Sequence, residues 1–116
     1  MHTSEIKIQV QLDEDKMPET LHWQAADGGV PELQEAKAIL LGLWDGQEKS
    51  ALRIDLWTKK MMVDEMADFF YQTMMGMADT YARATRNGDL AKEMKAFAKT
   101  FHNKAVEAIQ REEANK

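Results

Sequence analysis

The chain has 116 residues, with 15 Lys and Arg against 20 Asp and Glu and a net charge of −5, which leaves room for one ordinary domain and no second core. It has no cysteine, so disulfides, thiolate nucleophiles, Cys-ligated zinc and iron–sulfur clusters are excluded. An acidic balance without a basic block also excludes nucleic acid as a partner, because binding phosphates needs clustered Lys and Arg. Met1 to Lys16 alternates polar and apolar residues and carries Glu5, Asp13, Glu14 and Asp15, unlike a secretory leader. The longest apolar run, Ala38 to Trp44, falls far short of the roughly 20 residues of a spanning helix. The expectation is a cytoplasmic protein with no direct membrane insertion.

Ile6, Ile8, Val10 and Leu12 alternate with Lys7, Gln9 and Gln11, a period of two that predicts a half-buried strand. After the acidic turn Asp13 to Pro18, Leu21, Trp23 and Ala25 alternate with Thr20, His22 and Gln24, so the two segments read as a hairpin. Asp27-Gly28-Gly29 supplies residues that tolerate positive φ, and Pro31-Glu32 suits the start of a short helical turn. The segment 31–39 fits a helical face through Leu33, Ala36, Ile39, Leu40 and Leu43, and fits a central strand through its apolar run. A strand from about Ala36 is preferred, because Asp45-Gly46 opens a polar connector to a clear strand partner: Leu52, Ile54 and Leu56 alternate with Arg53, Asp55 and Trp57.

Beyond Thr58 the period becomes 3.6: Met62, Met66, Phe70, Met74, Met77 and Tyr81 predict a helix from about residue 63. Asp64, Glu65 and Asp68 oppose the positive end of its dipole, and Arg83 and Arg86 its negative end. Asn87-Gly88-Asp89 supplies a left-handed stop and a fresh N-cap. Leu90, Met94, Phe97, Phe101, Ala105 and then Ala108 or Ile109 stripe a second helix to about residue 112, with the tail from Arg111 fraying. The expected fold is α+β: one domain over residues 1–116, in which a four-stranded antiparallel sheet (about 5–58) precedes two antiparallel helices (about 63–112) packed on one face. Residues 1–58 carry 5 basic and 11 acidic side chains and residues 59–116 carry 10 and 9, so the sheet half is acidic and the helical half nearly neutral.

No catalytic constellation emerges. His2, His22 and His102 lack the spacing that converges ligands on a metal. Asp13 and Asp15 mimic a calcium loop whose later positions hold Met17, Pro18 and Gln24, so an acidic turn explains them. Asp27-Gly28-Gly29 lacks the spacing of a phosphate loop. Asp64 and Asp68, one helical turn apart, read as dipole partners rather than an acid/base pair. Ser4 and Ser50 lack a nucleophile elbow, and Asp79 with Arg83 reads as an i,i+4 ion pair. No catalytic residue, cofactor or metal is expected.

What exceeds expectation is apolar surface: nine Met, four Phe and three Trp must be covered in a small protein. One sheet face can meet the helices, through Ile39, Leu41, Leu43, Leu52, Ile54 and Leu56. The opposite face then carries Leu40, Trp44, Arg53, Asp55 and Trp57, the candidate interaction surface, and needs a partner. Self-association or a client protein would supply one. The methionine stripe reads as core, although methionine also suits adaptable binding surfaces.

Leu52-Arg53-Ile54-Asp55-Leu56-Trp57-Thr58-Lys59 followed by Met62-Val63-Asp64-Glu65-Met66 resembles the GldC gliding-motility family. So do Ser4-Glu5-Ile6-Lys7, Asp27-Gly28-Gly29, Leu43-Trp44-Asp45, Phe69-Phe70 with Gln72-Thr73, and Met77-Ala78-Asp79-Thr80 with Arg83-Ala84-Thr85. The resemblance covers nearly the whole chain, weakening after Leu90, and rests on the number and order of these strings. It implies a small soluble accessory of bacterial gliding, working by protein–protein contact, with no catalytic set to carry over. Separately, four strands followed by two helices resembles the layout of the SecB export chaperone, which implies binding of unfolded clients. Layout alone does not fix function.

Overall fold

The computed structural model describes residues 1–115. The elements are β1 (Ile6–Leu12), β2 (Pro18–Ala25), a 3-10 turn (Ala26–Gly28), β3 (Val30–Ala36), β4 (Ala38–Asp45), β5 (Ser50–Trp57), α1 (Val63–Thr85) and α2 (Gly88–Ala114). They fall into two compact units, Met1–Met61 and Met62–Lys116.

In the first unit, β1 and β2 form the expected hairpin. Asp13 Oδ1 accepts the N–H groups of Asp15 and Met17 at 2.9 and 3.0 Å, which folds the acidic turn on itself. The ladder sets Ile6, Ile8 and Val10 beside Ala25, Trp23 and Leu21 on one face. Lys7, Gln9 and Gln11 oppose Gln24, His22 and Thr20 on the other. β3 extends the apolar face by pairing Ala36 with Leu21. Leu21, between Val10 and Ala36, is fully buried.

The antiparallel α+β character is as read from the sequence, but the strands do not make one four-stranded sheet. They form a three-stranded sheet in the order β1-β2-β3 and a two-stranded sheet of β4 and β5. The strand expected from about Ala36 is β4, paired with β5 as read; the cause lies in an additional strand, β3, that precedes it from Val30, with a bend at Lys37 between them. β3 pairs back with β2 and β4 forward with β5. Thr58 holds the bend: its N–H and its Oγ1 both donate to the Lys37 carbonyl, at 2.9 and 3.1 Å.

Pro31 therefore lies in a strand and starts no helical turn. It falls where the β2–β3 register shifts between Trp23 and Ala25, a place where a missing N–H forfeits no ladder bond. The Pro31 carbonyl still accepts from Gln24 Nε2.

The second unit is an antiparallel helical hairpin. At the start of α1 the Glu65 carboxylate accepts the Met62 N–H at 3.2 Å. Between the helices the left-handed residue is Arg86, with φ 60, rather than Asn87 or Gly88. Asn87 instead caps α2, its Oδ1 accepting the Leu90 N–H at 3.2 Å. The tail expected to fray from Arg111 stays helical to Ala114. The buried positions of the two helices are small, Ala67 and Ala78 on α1 and Ala91 and Ala98 on α2. Of the methionine and aromatic stripe read as core, Met66 and Met74 are half-buried, whereas Met62, Phe70, Met77 and Tyr81 are exposed.

Candidate interaction surface

The β4–β5 hairpin keeps one register from Ala38 opposite Trp57 to Asp45 opposite Ser50. Its four-residue connector is set by Asp45, whose Oδ1 accepts the N–H groups of Gln47 and Glu48 at 2.9 and 3.2 Å. Lys49 closes it with φ 52. Residues paired across an antiparallel ladder share a face. One face therefore carries Ala38 and Trp57, Leu40 and Asp55, Gly42 and Arg53, and Trp44 and Ala51.

All five residues singled out from the sequence, Leu40, Trp44, Arg53, Asp55 and Trp57, lie on that face. Trp44 and Trp57 are 69% and 58% exposed near its two ends. Between them the Arg53 guanidinium donates twice to the Asp55 carboxylate, at 2.8 and 3.3 Å. Gly42 lies opposite Arg53 on the ladder. The arrangement offers two flat apolar platforms around a neutralised charge pair.

The other face pairs Ile39 with Leu56, Leu41 with Ile54 and Leu43 with Leu52. It was expected to be covered, yet Leu43, Leu52 and Ile54 are 51%, 53% and 49% exposed. The alternation that placed these residues together was visible in sequence; the extent of their exposure was not. Beside the bend, an open apolar hollow is lined by Ile6, Ile8, Trp23, Ala36, Ala38 and Ile39. It joins Ile6, Ile8, Trp23 and Ala36 of the three-stranded sheet to Ala38 and Ile39 at the start of β4. Its lining residues include no acid, base or nucleophile, so it can house apolar groups and offers no proton chemistry.

The helical unit holds polar links that the sequence did not disclose, because antiparallel packing joins residues far apart in the chain. His102 Nε2 lies 2.7 Å from Asp68 Oδ1, and the Tyr71 ring sits 4.9 Å from the imidazole. Asp79 pairs with Lys95 at 2.6 Å across the hairpin, while Arg83 donates to Thr80 Oγ1 at 3.4 Å. Phe101 stands 6.3 Å from Phe70 and 6.4 Å from Phe97. Among the described residues, no three His, Asp or Glu gather to hold a metal ion. None of their helices is long and apolar enough to cross a membrane.

The family model for gliding motility-associated GldC-like proteins matches residues 18–107, from β2 into α2, and so spans the whole β4–β5 hairpin. The chain matches no curated protein and no solved structure. The four-strand layout that suggested SecB is not found: five strands form two sheets.

Proposed function

The chain belongs to the GldC-like family of gliding motility-associated proteins, and from that premise we propose that it is a non-enzymatic, cytoplasmic accessory of gliding that acts through protein–protein contact. It works as a homo-oligomer that docks on a protein of the motility or secretion apparatus. The family match carries the link to gliding. The β4–β5 hairpin supports the mode of action, because exposed apolar residues gathered on one element mark interaction sites more often than chemistry.

Deletion of the gene in a gliding host is expected to impair spreading, and the wild-type gene to restore it. A Trp44→Glu, Trp57→Glu variant, which changes two exposed side chains, is expected to accumulate normally and fail to restore spreading. Unimpaired spreading without the gene would overturn the reading.

A second reading, a chaperone holding unfolded or secreted clients, is favoured by one observation: an open apolar hollow lined by Ile6, Ile8, Trp23, Ala36, Ala38 and Ile39. It requires the protein to suppress aggregation of an unrelated unfolding protein at stoichiometric ratio. No suppression would remove it.

A further inference from the structure

β5 is an open sheet edge. Among the described residues its only strand partner is β4, and Ser50 through Asp55 are all exposed. Proteins blunt such edges with bulges, prolines, short strands or unpaired charge. β1, also an edge, has a bulge between Gln11 and Leu12 and carries Lys7. β5 has no proline, eight residues and an unshifted register, and its two charges neutralise each other. β4 is the less open strand, half-buried from Ala38 to Leu41.

The order of side chains along β5 is self-complementary. We propose that β5 pairs with β5 of a second copy of this chain, antiparallel, about a two-fold axis through Ile54. This rests on the homo-oligomer proposed above and names the contact that makes it. An isologous contact requires that each residue meet a suitable partner in both directions, and this register provides that in each row from 51 to 57.

Ile54 meets its own copy. Leu52 meets Leu56, which joins the two aliphatic faces into one. Arg53 meets Asp55 and Asp55 meets Arg53, so the pair that closes on itself within one chain gains a second partner across the axis. Ala51 meets Trp57, and because Ala51 already lies beside Trp44, the small residue sits between two indoles. The exposure of both tryptophans and the choice of alanine between them follow from one arrangement. The product is a four-stranded sheet in the order β4-β5-β5-β4.

The charge row gives a test specific to this register. In Arg53→Glu each introduced carboxylate faces the other copy's Asp55; in Asp55→Arg each introduced guanidinium faces the other copy's Arg53. Cross-strand charges count twice by symmetry, so each variant alone is expected to weaken the dimer by about tenfold or more. In an equimolar mixture, the carboxylate introduced by Arg53→Glu in one chain faces the guanidinium introduced by Asp55→Arg in the other, and the unchanged Asp55 of the first faces the unchanged Arg53 of the second. Mixing therefore yields a heterodimer tighter than either variant's own homodimer. Both positions are exposed, and circular dichroism checks that the variants fold.

The chain lacks cysteine, so a single introduced thiol is unambiguous. Paired Cα atoms on an antiparallel ladder lie about 4.5–5.5 Å apart, within disulfide range. Ile54→Cys is expected to form a linked dimer under mild oxidation, while Gln9→Cys, central on β1, is not.

Sedimentation of the full chain and its variants separates the outcomes. A wild-type chain that stays monomeric across the micromolar range, as it would if another protein's strand were the occupant, overturns both this contact and the homo-oligomer. An oligomer that neither charge variant weakens, or that links through Gln9→Cys and not Ile54→Cys, overturns the β5 contact and leaves the homo-oligomer standing.

Discussion

Gly29 holds φ 86 at the end of the 3-10 turn, with nothing within 4 Å of where a Cβ would stand. Space is free there, so the backbone conformation alone sets the cost of a side chain. Gly29→Ala is expected to lower stability by about 1 kcal/mol, read as a lower urea midpoint at unchanged slope. Arg86 presents the converse. It holds φ 60 at the end of α1 while its N–H donates to the Ala82 carbonyl at 2.8 Å. That geometry suits glycine, so Arg86→Gly is expected to raise stability by roughly 0.5–1 kcal/mol in the same titration. A midpoint that falls would show that the arginine side chain contributes more than its strain costs. Asn87-Gly88-Asp89 marked the helix break correctly in sequence but not the residue that turns. Asn87 was the natural choice by type; its side chain is occupied with the Leu90 N–H, and the turn passes to its neighbour.

Alternation of apolar and polar residues located β1, β2 and β5, and the change to a 3.6 period located both helices. It did not locate the bend at Lys37, because neither glycine nor proline stands there. The bend arises from pairing: the Val30–Asp45 run answers to β2 over its first half and to β5 over its second. Pro31 misled for the same reason, since its helix-start signal is local and the pairing around it is not.

Thr58 is where that non-local choice is held, 3% exposed with two donors on one carbonyl. Thr58→Val keeps the shape and the N–H bond and removes the hydroxyl bond. It is expected to cost about 1 kcal/mol and to speed amide exchange at residue 58 more than along the rest of β5. Equal exchange changes throughout the hairpin would mean that the hydroxyl does not clamp the bend.

The candidate surface was legible because its register follows from the connector. A slip of one residue would send Arg53 and Asp55 to the face opposite Leu40 and Trp44. Asp45 prevents that slip by fixing a four-residue turn. On the helices the same kind of reading held only in part. Periodicity gathered Met62, Met66, Phe70, Met74, Met77 and Tyr81 on one stripe; Met66 and Met74 are half-buried and Phe70 reaches Phe101 of the other helix, while the rest stand exposed. Small side chains let helices approach, and the buried positions are the four alanines.

At the scale of the whole molecule, the sequence announced more apolar side chain than a small core absorbs. In the structure the fully buried large side chain is Leu21, and the other buried apolar residues among those described are Ala67, Ala78, Ala91 and Ala98. Aliphatic and aromatic groups that a larger core would enclose stand at the surface of the hairpin. Any partner that takes up this surface would stabilise the fold, because anything that binds the folded form and not the unfolded one shifts the equilibrium by mass action. If β5 joins two copies, folding and dimerisation share one equilibrium, and the melting temperature rises with protein concentration. Above the dimer dissociation constant, a hundredfold increase in concentration adds about 2.7 kcal/mol per dimer, or about 1.4 kcal/mol per chain. For a domain near this size that corresponds to a rise of about 5 °C. Arg53→Glu is expected to need about tenfold or more protein to reach the wild-type melting temperature, and to melt close to the wild type at high dilution, since the substitution touches an exposed pair and no buried contact. A wild-type melting temperature that stays flat over that range would mean that the folded chain gains nothing from a second copy.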